Sequence, residues 1–179
     1  MNLRVVNLAT EIPDLDEARQ QALNPEPGRM DIYVDGSYDA GSGKGGWAFV
    51  VMSAEETLAT GSGRFDGATN NALELVAALE AAKWASDQAK SYAITIWSDS
   101  AYVVEGSNYW LPIWKNNGWR RYNSNPRARN RGIPDQDLWK LLDRQLLENK
   151  LLTIAWCKGH QGNIGNELAD QLAAAVYRR

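Results

Sequence analysis

Four acidic residues that are far apart in the sequence could together bind divalent cations: Asp35, Glu74, Asp99 and Asp170. The chain has one cysteine and one histidine, so it offers no cluster of the ligands that zinc prefers. Carboxylates select hard cations such as Mg²⁺ or Mn²⁺ instead. Two such ions about 4 Å apart can activate a water and stabilise the leaving oxygen during attack on a phosphodiester. The four residues therefore predict a metal-dependent nuclease.

Each carboxylate also has a simpler explanation when it is taken alone. Asp35 ends one predicted strand and Asp99 lies just beyond another, and at a strand end an Asp often only forms a turn. Glu74 suits the first turn of a helix because of the helix dipole, and Asp170 would be unremarkable as a solvated surface residue. However, alanines follow Glu74 at positions 77, 78 and 81. On such a close-packing face a buried carboxylate would favour a compensating cation.

The only histidine, His160, lies between the last predicted strand and the last predicted helix, in Lys158-Gly159-His160-Gln161-Gly162. A glycine-flanked loop suits a mobile proton carrier, or a group that assists the leaving oxygen, better than a core histidine. Without a second histidine, a triad with a Ser or Cys nucleophile cannot be built.

The predicted strands and helices would bring these residues to one edge of a sheet. Strands are predicted at 31–35, 46–52, 58–65, 92–97 and 151–157, and helices at 72–89, 138–147 and 167–177. Candidate helix caps are Thr69, Asn70 and Asn71 for the first helix and Asn163 or Asn166 for the last. The order β-β-β-α-β-α-β-α predicts an α/β fold whose five-stranded mixed sheet has three antiparallel strands, then two parallel additions, flanked by helices. Because open α/β sheets bind ligands at the carboxyl ends of their strands, Asp35 and Asp99 should converge.

Length and composition indicate one globular domain with a short appendage. The 179 residues are 44% hydrophobic and 23% charged, as in ordinary folded domains. Residues 1–30 lack periodicity and end in Asn24-Pro25-Glu26-Pro27-Gly28, which predicts a flexible N-terminal extension before a domain at 31–179. No apolar stretch is long enough to span a bilayer, and Cys157 alone cannot form an internal disulfide. We therefore expect a cytoplasmic protein without a membrane partner.

Positive charge is concentrated between Ser107 and Pro134. This stretch has no acidic residue and carries +6, whereas the remainder of the chain carries −9. The overall charge of −3 argues weakly against a protein that coats nucleic acid, but the distribution of charge matters more than its sum. A solvated basic loop is the alternative, although three tryptophans in such a loop would be wasteful.

Taken together, the motifs resemble type 1 ribonuclease H. They are Tyr33-Val34-Asp35-Gly36-Ser37, Thr69-Asn70-Asn71-Ala72-Leu73-Glu74-Leu75, Ser98-Asp99-Ser100, Lys158-Gly159-His160 and Asn166-Glu167-Leu168-Ala169-Asp170. The resemblance implies a ribonuclease H-like fold, with the family's metal ligands at Asp35, Glu74, Asp99 and Asp170 and its loop histidine at His160. It further implies endonucleolytic hydrolysis of the RNA strand of an RNA/DNA hybrid, using two Mg²⁺ ions or substituting Mn²⁺, with 5′-phosphate and 3′-hydroxyl products.

The resemblance also implies a set of substrate-binding residues. The family's hybrid-gripping protrusion would correspond to 110–131, within the basic stretch 107–134. The expected contacts are Trp114, Lys115, Trp119, Arg120 and Arg121 in the protrusion, and Gly36, Ser37, Thr69, Asn70 and Asn71 elsewhere. Binding should be salt-sensitive and largely independent of sequence, because Lys and Arg contact phosphates. Gly41 and Ala101 depart from the Asn and Gln that many members of the family carry.

Three other functions stay open on the sequence alone. A non-catalytic hybrid-binding protein would use the same surface without cleavage. A DNA-directed nuclease of the same superfold, such as an integrase or a proofreading exonuclease, would use the same carboxylates. A glycosidase would leave two of the four carboxylates unexplained. For the ribonuclease H function we expect a monomer without an obligate protein partner.

Overall fold

The computed structural model describes residues 28–54, 56–66, 68–121, 132–159 and 162–178. Their five strands are β1 (Arg29–Asp39), β2 (Lys44–Ser53), β3 (Glu56–Arg64), β4 (Ala93–Ser98) and β5 (Leu152–Trp156). They form one sheet in the order β3-β2-β1-β4-β5. The β1–β2 and β2–β3 pairs are antiparallel, whereas the β1–β4 and β4–β5 pairs are parallel. The predicted mixed sheet is confirmed.

Three of the helices match the predicted ones. They are α1 (Asn70–Gln88), α4 (Gln136–Glu148) and α5 (Ile164–Arg178). Between β4 and α4 lie α2 (Ala101–Glu105), a π-helical turn (Gly106–Trp110) and α3 (Leu111–Asn116). In the described part of the chain, no helix is both long and apolar enough to cross a membrane.

The predicted order of elements is wrong at residues 101–116, because it omits this helical run. Gly106 and Pro112 interrupt the apolar periodicity there and hide the helical pattern. Contacts with the rest of the fold hold the run in place. Val103 and Leu111 are buried in the main core, and Gly106 lies so close to the Trp139 ring of α4 that a Cβ would collide with it.

The hydrophobic core aligns the two central strands. Ile32 and Val34 of β1, with Ile94 and Ile96 of β4, are almost completely buried in one cluster with side chains of α1 and α4. Full burial of each such side chain contributes roughly 1.5–3 kcal/mol. On the other face, a smaller cluster joins β2 to Ala169 of α5. Shifting β1 against β4 by one residue would turn the isoleucines out of the core, so their register is strongly specified.

The pairing of β1 changes at the place where the candidate catalytic residues lie. Its parallel pairing with β4 ends at Tyr33 and Trp97. The sequence predicted that β1 also ends at Asp35, which is wrong, because antiparallel pairing with β2 extends β1 as far as Asp39. Asp35 and Asp99 therefore both lie two residues beyond the last parallel pair, where β1 and β4 have separated.

Candidate active site

Three of the four candidate carboxylates converge beyond the parallel pairing of β1 and β4. Asp35 lies on β1, Asp99 follows β4, and Glu74 lies in the second turn of α1. One carboxylate oxygen from each lies within 4.8 Å of the others. Asp35 is 8% exposed and Glu74 is 6% exposed. The predicted convergence of Asp35 and Asp99 is confirmed, and α1 adds Glu74 to the group.

Glu74 reaches this group because α1 begins close to β1. The Thr69 side chain caps α1 by accepting a hydrogen bond from the Ala72 amide at 3.1 Å. A Cβ at Gly36 would collide with the backbone of Leu73 and Glu74, so only glycine permits this approach. The Gly36 amide donates a hydrogen bond to the Glu74 carboxylate at 3.1 Å. Gly36 therefore orients a candidate metal ligand, while its predicted contact with substrate stays a prediction.

Gly159 lies close to Asp99 in a similar way, a contact that the sequence did not predict. A Cβ at Gly159 would collide with the Asp99 carboxylate, so the loop after β5 passes directly beside it. The signal in the sequence was the glycine of Lys158-Gly159-His160. The need for a glycine at position 159 arises because β5 lies next to β4, and this pairing is known only from the structure. His160 itself lies outside the described residues.

Asp170 approaches the group from α5 without joining its closest part. It is half-buried, and its charge helps to raise the pKa values of Asp35 and Glu74. The Asn163 side chain caps α5 by accepting a hydrogen bond from the Asn166 amide at 3.2 Å, so of the two predicted caps Asn163 is confirmed. Asp170 thus lies at the rim of the same negative cluster.

The pKa values of Asp35 and Glu74 are those of buried carboxylates that lie close to one another. Burial, followed by the charges of Asp99 and Asp170, raises the pKa of Asp35 to about 8. Burial and the same neighbours raise the pKa of Glu74 well above its usual range, against the opposing hydrogen bond from Gly36. None of the ion pairs among the described residues involves the four carboxylates. This all-oxygen donor set fits a divalent cation such as Mg²⁺ or Mn²⁺.

Cys157 is a further reactive side chain near this edge. It is buried, and burial together with the charges of Asp99 and Asp35 raises the pKa of its thiol to about 11. A thiol must ionise to act as a nucleophile. Cys157 is therefore unsuited to covalent catalysis, and the site's chemistry rests on its carboxylates.

The predicted substrate contacts outside the basic stretch lie around the carboxylates. Thr69, Asn70 and Asn71 are exposed at the start of α1. Ser37 follows Asp35 on the same face of β1, and its hydroxyl is hydrogen-bonded to the Tyr177 hydroxyl at 2.8 Å. These positions leave the start of α1 open to a ligand, whereas Ser37 already has a protein partner.

The Trp-rich segment, residues 110–121, contains five predicted substrate contacts, three of which also contact other parts of the protein. Trp114 packs edge-on against Trp139, with ring centroids 5.5 Å apart. The Lys115 ammonium lies 2.8 Å from a carboxylate oxygen of Asp143. Trp119 is half-buried against the core, and the ammonium of a lysine in α4 lies 5.5 Å from its ring centroid. The other two, Arg120 and Arg121, are exposed. Residues 122–131, with their three arginines, lie outside the described residues.

Comparison with known proteins agrees with this geometry. A family model described as RNase H matches residues 27–178. Ribonuclease H of Dichelobacter nodosus is 38% identical over 144 residues, covering 80% of this chain and 89% of that protein. Ribonuclease HI of Pseudomonas aeruginosa is 37% identical over 144 residues, covering 79% and 88%.

Solved structures show the same fold. The solution structure of the PFV RNase H domain superposes with a TM-score of 0.69 at 27% identity, covering 83% of this chain and 94% of that domain. A foamy viral protease-reverse transcriptase, solved in complex with an RNA/DNA hybrid, superposes with a TM-score of 0.72 at 25% identity. This chain covers 20% of that larger protein, which in turn matches 86% of this chain. From its sequence and its fold alike, the chain belongs to the type 1 ribonuclease H family.

Proposed function

We propose that this chain is an endonuclease that hydrolyses the RNA strand of RNA/DNA hybrids with the help of bound divalent cations. The observation that carries the proposal is the group formed by Asp35, Glu74 and Asp99, which are close together, largely buried and without a described counter-charge. Relatives of this chain are named ribonuclease H or ribonuclease HI, and one structural relative was solved with an RNA/DNA hybrid. Both facts support this choice of substrate.

We infer that the carboxylates hold two Mg²⁺ ions, for which Mn²⁺ can substitute. Asp35 would be a ligand of both, Glu74 and Asp99 would complete one site, and Asp170 would share the other with Asp35. The charges of Asp99 and Asp170 both raise the pKa of Asp35, which supports a place for Asp35 near both of these carboxylates. When bound, the ions would activate the attacking water and stabilise charge on the leaving oxygen.

The remaining steps belong to side chains around the carboxylates. Products with 5′-phosphate and 3′-hydroxyl ends require a proton for the leaving 3′ oxygen, and His160 is the proposed carrier. Glu74 would also approach the 2′-hydroxyl beside the scissile bond, which is how a protein can distinguish RNA from DNA at one position. We expect His160→Ala to slow turnover without abolishing it.

Substrate binding would rest on exposed groups on both sides of the carboxylates. Thr69 at the start of α1 would contact a phosphate of the DNA strand, and Asn70 and Asn71 would contact the RNA strand. Arg120 and Arg121 would contact phosphates of the hybrid. We further propose that the chain works as a monomer in the cytoplasm, without an obligate protein partner. The bacterial origin of the named relatives supports that location.

One gel experiment tests this function. End-labelled RNA/DNA, RNA/RNA and DNA/DNA duplexes are each incubated with Mg²⁺, with Mn²⁺ and with chelator. We expect internal cuts in the RNA strand of the hybrid alone, with either ion, and none with chelator. Binding of the hybrid without fragments would favour the non-catalytic alternative. Cleavage of DNA duplexes or stepwise trimming from a 3′ end would favour a DNA-directed nuclease.

A further inference from the structure

We propose that Tyr177 is a positioning residue for Asp170. Its hydroxyl is hydrogen-bonded to the Ser37 hydroxyl at 2.8 Å, across 140 residues of sequence. Tyr177 is 8% exposed and Ser37 is half-buried, so this bond is partly shielded from water. The inference rests on the proposed function, in which Asp170 and Asp35 share a metal ion.

This hydrogen bond joins β1 to α5, the same two elements that carry Asp35 and Asp170. Asp35 and Ser37 are two residues apart on β1, so their side chains leave the same face of the sheet. Asp170 and Tyr177 are seven residues apart on α5, which is about two turns, so they lie on the same side of the helix. The bond between Tyr177 and Ser37 therefore constrains the orientation in which α5 presents Asp170 to Asp35.

Close packing also holds α5 against the sheet. A Cβ at Gly46 of β2 would collide with the Ala173 carbonyl, and a Cβ at Gly165 would collide with the Tyr33 ring of β1. Such contacts fix how near α5 lies to the sheet. Van der Waals attraction has no strong angular preference, whereas a hydrogen bond requires both a short distance and good alignment. The hydroxyl pair can therefore fix the rotation of α5 more closely than packing alone.

A fixed α5 matters because the charges of Asp35 and Asp170 repel each other when no cation is bound. If α5 could turn, Asp170 would move toward solvent, and binding a cation would first have to bring it back. Holding a ligand in its bound position lowers that cost and strengthens binding.

The test compares Tyr177→Phe, which keeps the ring and removes the hydroxyl, with Tyr38→Phe, which changes an exposed tyrosine beside Ser37. Mn²⁺ binding is measured by calorimetry without substrate, and cleavage is measured over a range of Mg²⁺ concentrations. For Tyr177→Phe we expect Mn²⁺ affinity to fall about three- to tenfold, since groups that orient metal ligands commonly have effects of this order or larger. Cleavage at saturating Mg²⁺ should stay within about twofold of wild type, and Tyr38→Phe should change neither quantity.

Three further variants make the result decisive. Ser37→Ala should weaken Mn²⁺ binding as Tyr177→Phe does, and the double variant should be no weaker than either single one, because all three lack the same bond. Additive losses, or a lower Tm with unchanged Mn²⁺ affinity, would overturn the positioning role. Asp170→Asn separates this inference from the proposed function. If Asp170→Asn leaves Mn²⁺ binding unchanged, the proposed shared ion is wrong. If Asp170→Asn weakens Mn²⁺ binding but Tyr177→Phe does not, the proposed function stands and only the positioning role of Tyr177 is wrong.

Discussion

The carboxylate group and the Trp-rich segment differ in whether their side chains have stabilising partners in other parts of the protein. One carboxylate oxygen from each of Asp35, Glu74 and Asp99 lies within 4.8 Å of the others, and no ion pair among the described residues neutralises these carboxylates. In the Trp-rich segment, Lys115 has a partner in Asp143, and Trp114 packs against Trp139.

This difference distinguishes residues that could bind a ligand from residues that stabilise the fold. Buried carboxylates without a counter-charge are costly, so they persist where a bound ion compensates for them. Lysine and tryptophan suit nucleic acid binding, yet an internal ion pair or ring contact accounts for them equally well. Within the segment, the exposed Arg120 and Arg121 are the better candidates for contact with substrate.

The largest effect is expected at the carboxylate group. Asp35→Asn should reduce cleavage of a labelled hybrid by about a thousandfold or more, because the loss of several kcal/mol of transition-state stabilisation has that consequence. Hybrid binding, measured by fluorescence anisotropy, should survive. Asp87→Asn, which alters an exposed carboxylate at the far end of α1, is the matched control. Turnover near that of wild type in Asp35→Asn would refute the assignment of the site.

In the Trp-rich segment, the next largest effect is expected on stability. Trp114→Ala should lower the free energy of unfolding by about 2–3 kcal/mol, somewhat less than for a fully buried aromatic residue, because the ring contact with Trp139 is lost. Trp156→Ala removes a tryptophan that is 55% exposed at the sheet edge and should cost less than about 1 kcal/mol. Urea denaturation measures both. Equal losses would show that Trp114 has no special structural role.

The exposed arginines should affect binding and leave stability unchanged. Replacing both Arg120 and Arg121 with alanine should weaken hybrid binding about tenfold at low salt, and each lost phosphate contact should reduce the salt dependence by about one unit of slope. Lys90→Ala, which changes an exposed lysine two residues after the end of α1, serves as the control. An unchanged slope would mean that these arginines do not contact phosphates.

The smallest effect is expected at Lys115. Because its ion pair with Asp143 is partly exposed, with side chains 34% and 15% accessible, Lys115→Ala should lower stability by about 1 kcal/mol or less. Hybrid affinity should change less than in the double arginine variant. If Lys115→Ala reduced the free energy of hybrid binding more than the free energy of unfolding, Lys115 would be a substrate contact.

Local patterns predicted most of the fold, and contacts between distant segments account for what they missed. The five strands and the three long helices follow from apolar spacing and caps. The extension of β1 to Asp39 depends on pairing with Lys44 of β2, although Gly36 and Ser37 resemble a strand end. The helical run at 101–116 depends on contacts such as that of Gly106 with Trp139.

The candidate site divides in the same way. Asp35 and Asp99 were predictable because each comes after a run of strand-forming residues, although β1 continues past Asp35. Glu74 was predictable from the alanines that follow it. The case for Asp170 rested on the resemblance, since its helix offers no distinguishing pattern. Gly159 beside Asp99 and Tyr177 beside Ser37 could not be predicted, because each contact requires the order of strands and the docking of α5.

The most direct test of the carboxylate group is the pH dependence of Tm, with and without metal. A carboxyl whose pKa is raised by folding stabilises the folded protein below its ordinary pKa, and this contribution is lost as the pH rises through the folded value. For Asp35 these limits are 3.8 and about 8, and the raised pKa of Glu74 acts in the same direction. The chelated protein should therefore lose stability between about pH 5 and 8.

Added Mg²⁺ should raise Tm more at pH 8 than at pH 5, because the ion binds the ionised carboxylates and the folded state alone holds them together. In Asp35→Asn both the loss of stability with pH and the gain from Mg²⁺ should shrink. If the chelated wild-type protein has the same Tm at both pH values and Mg²⁺ changes neither, Asp35, Glu74 and Asp99 do not form an uncompensated cation site.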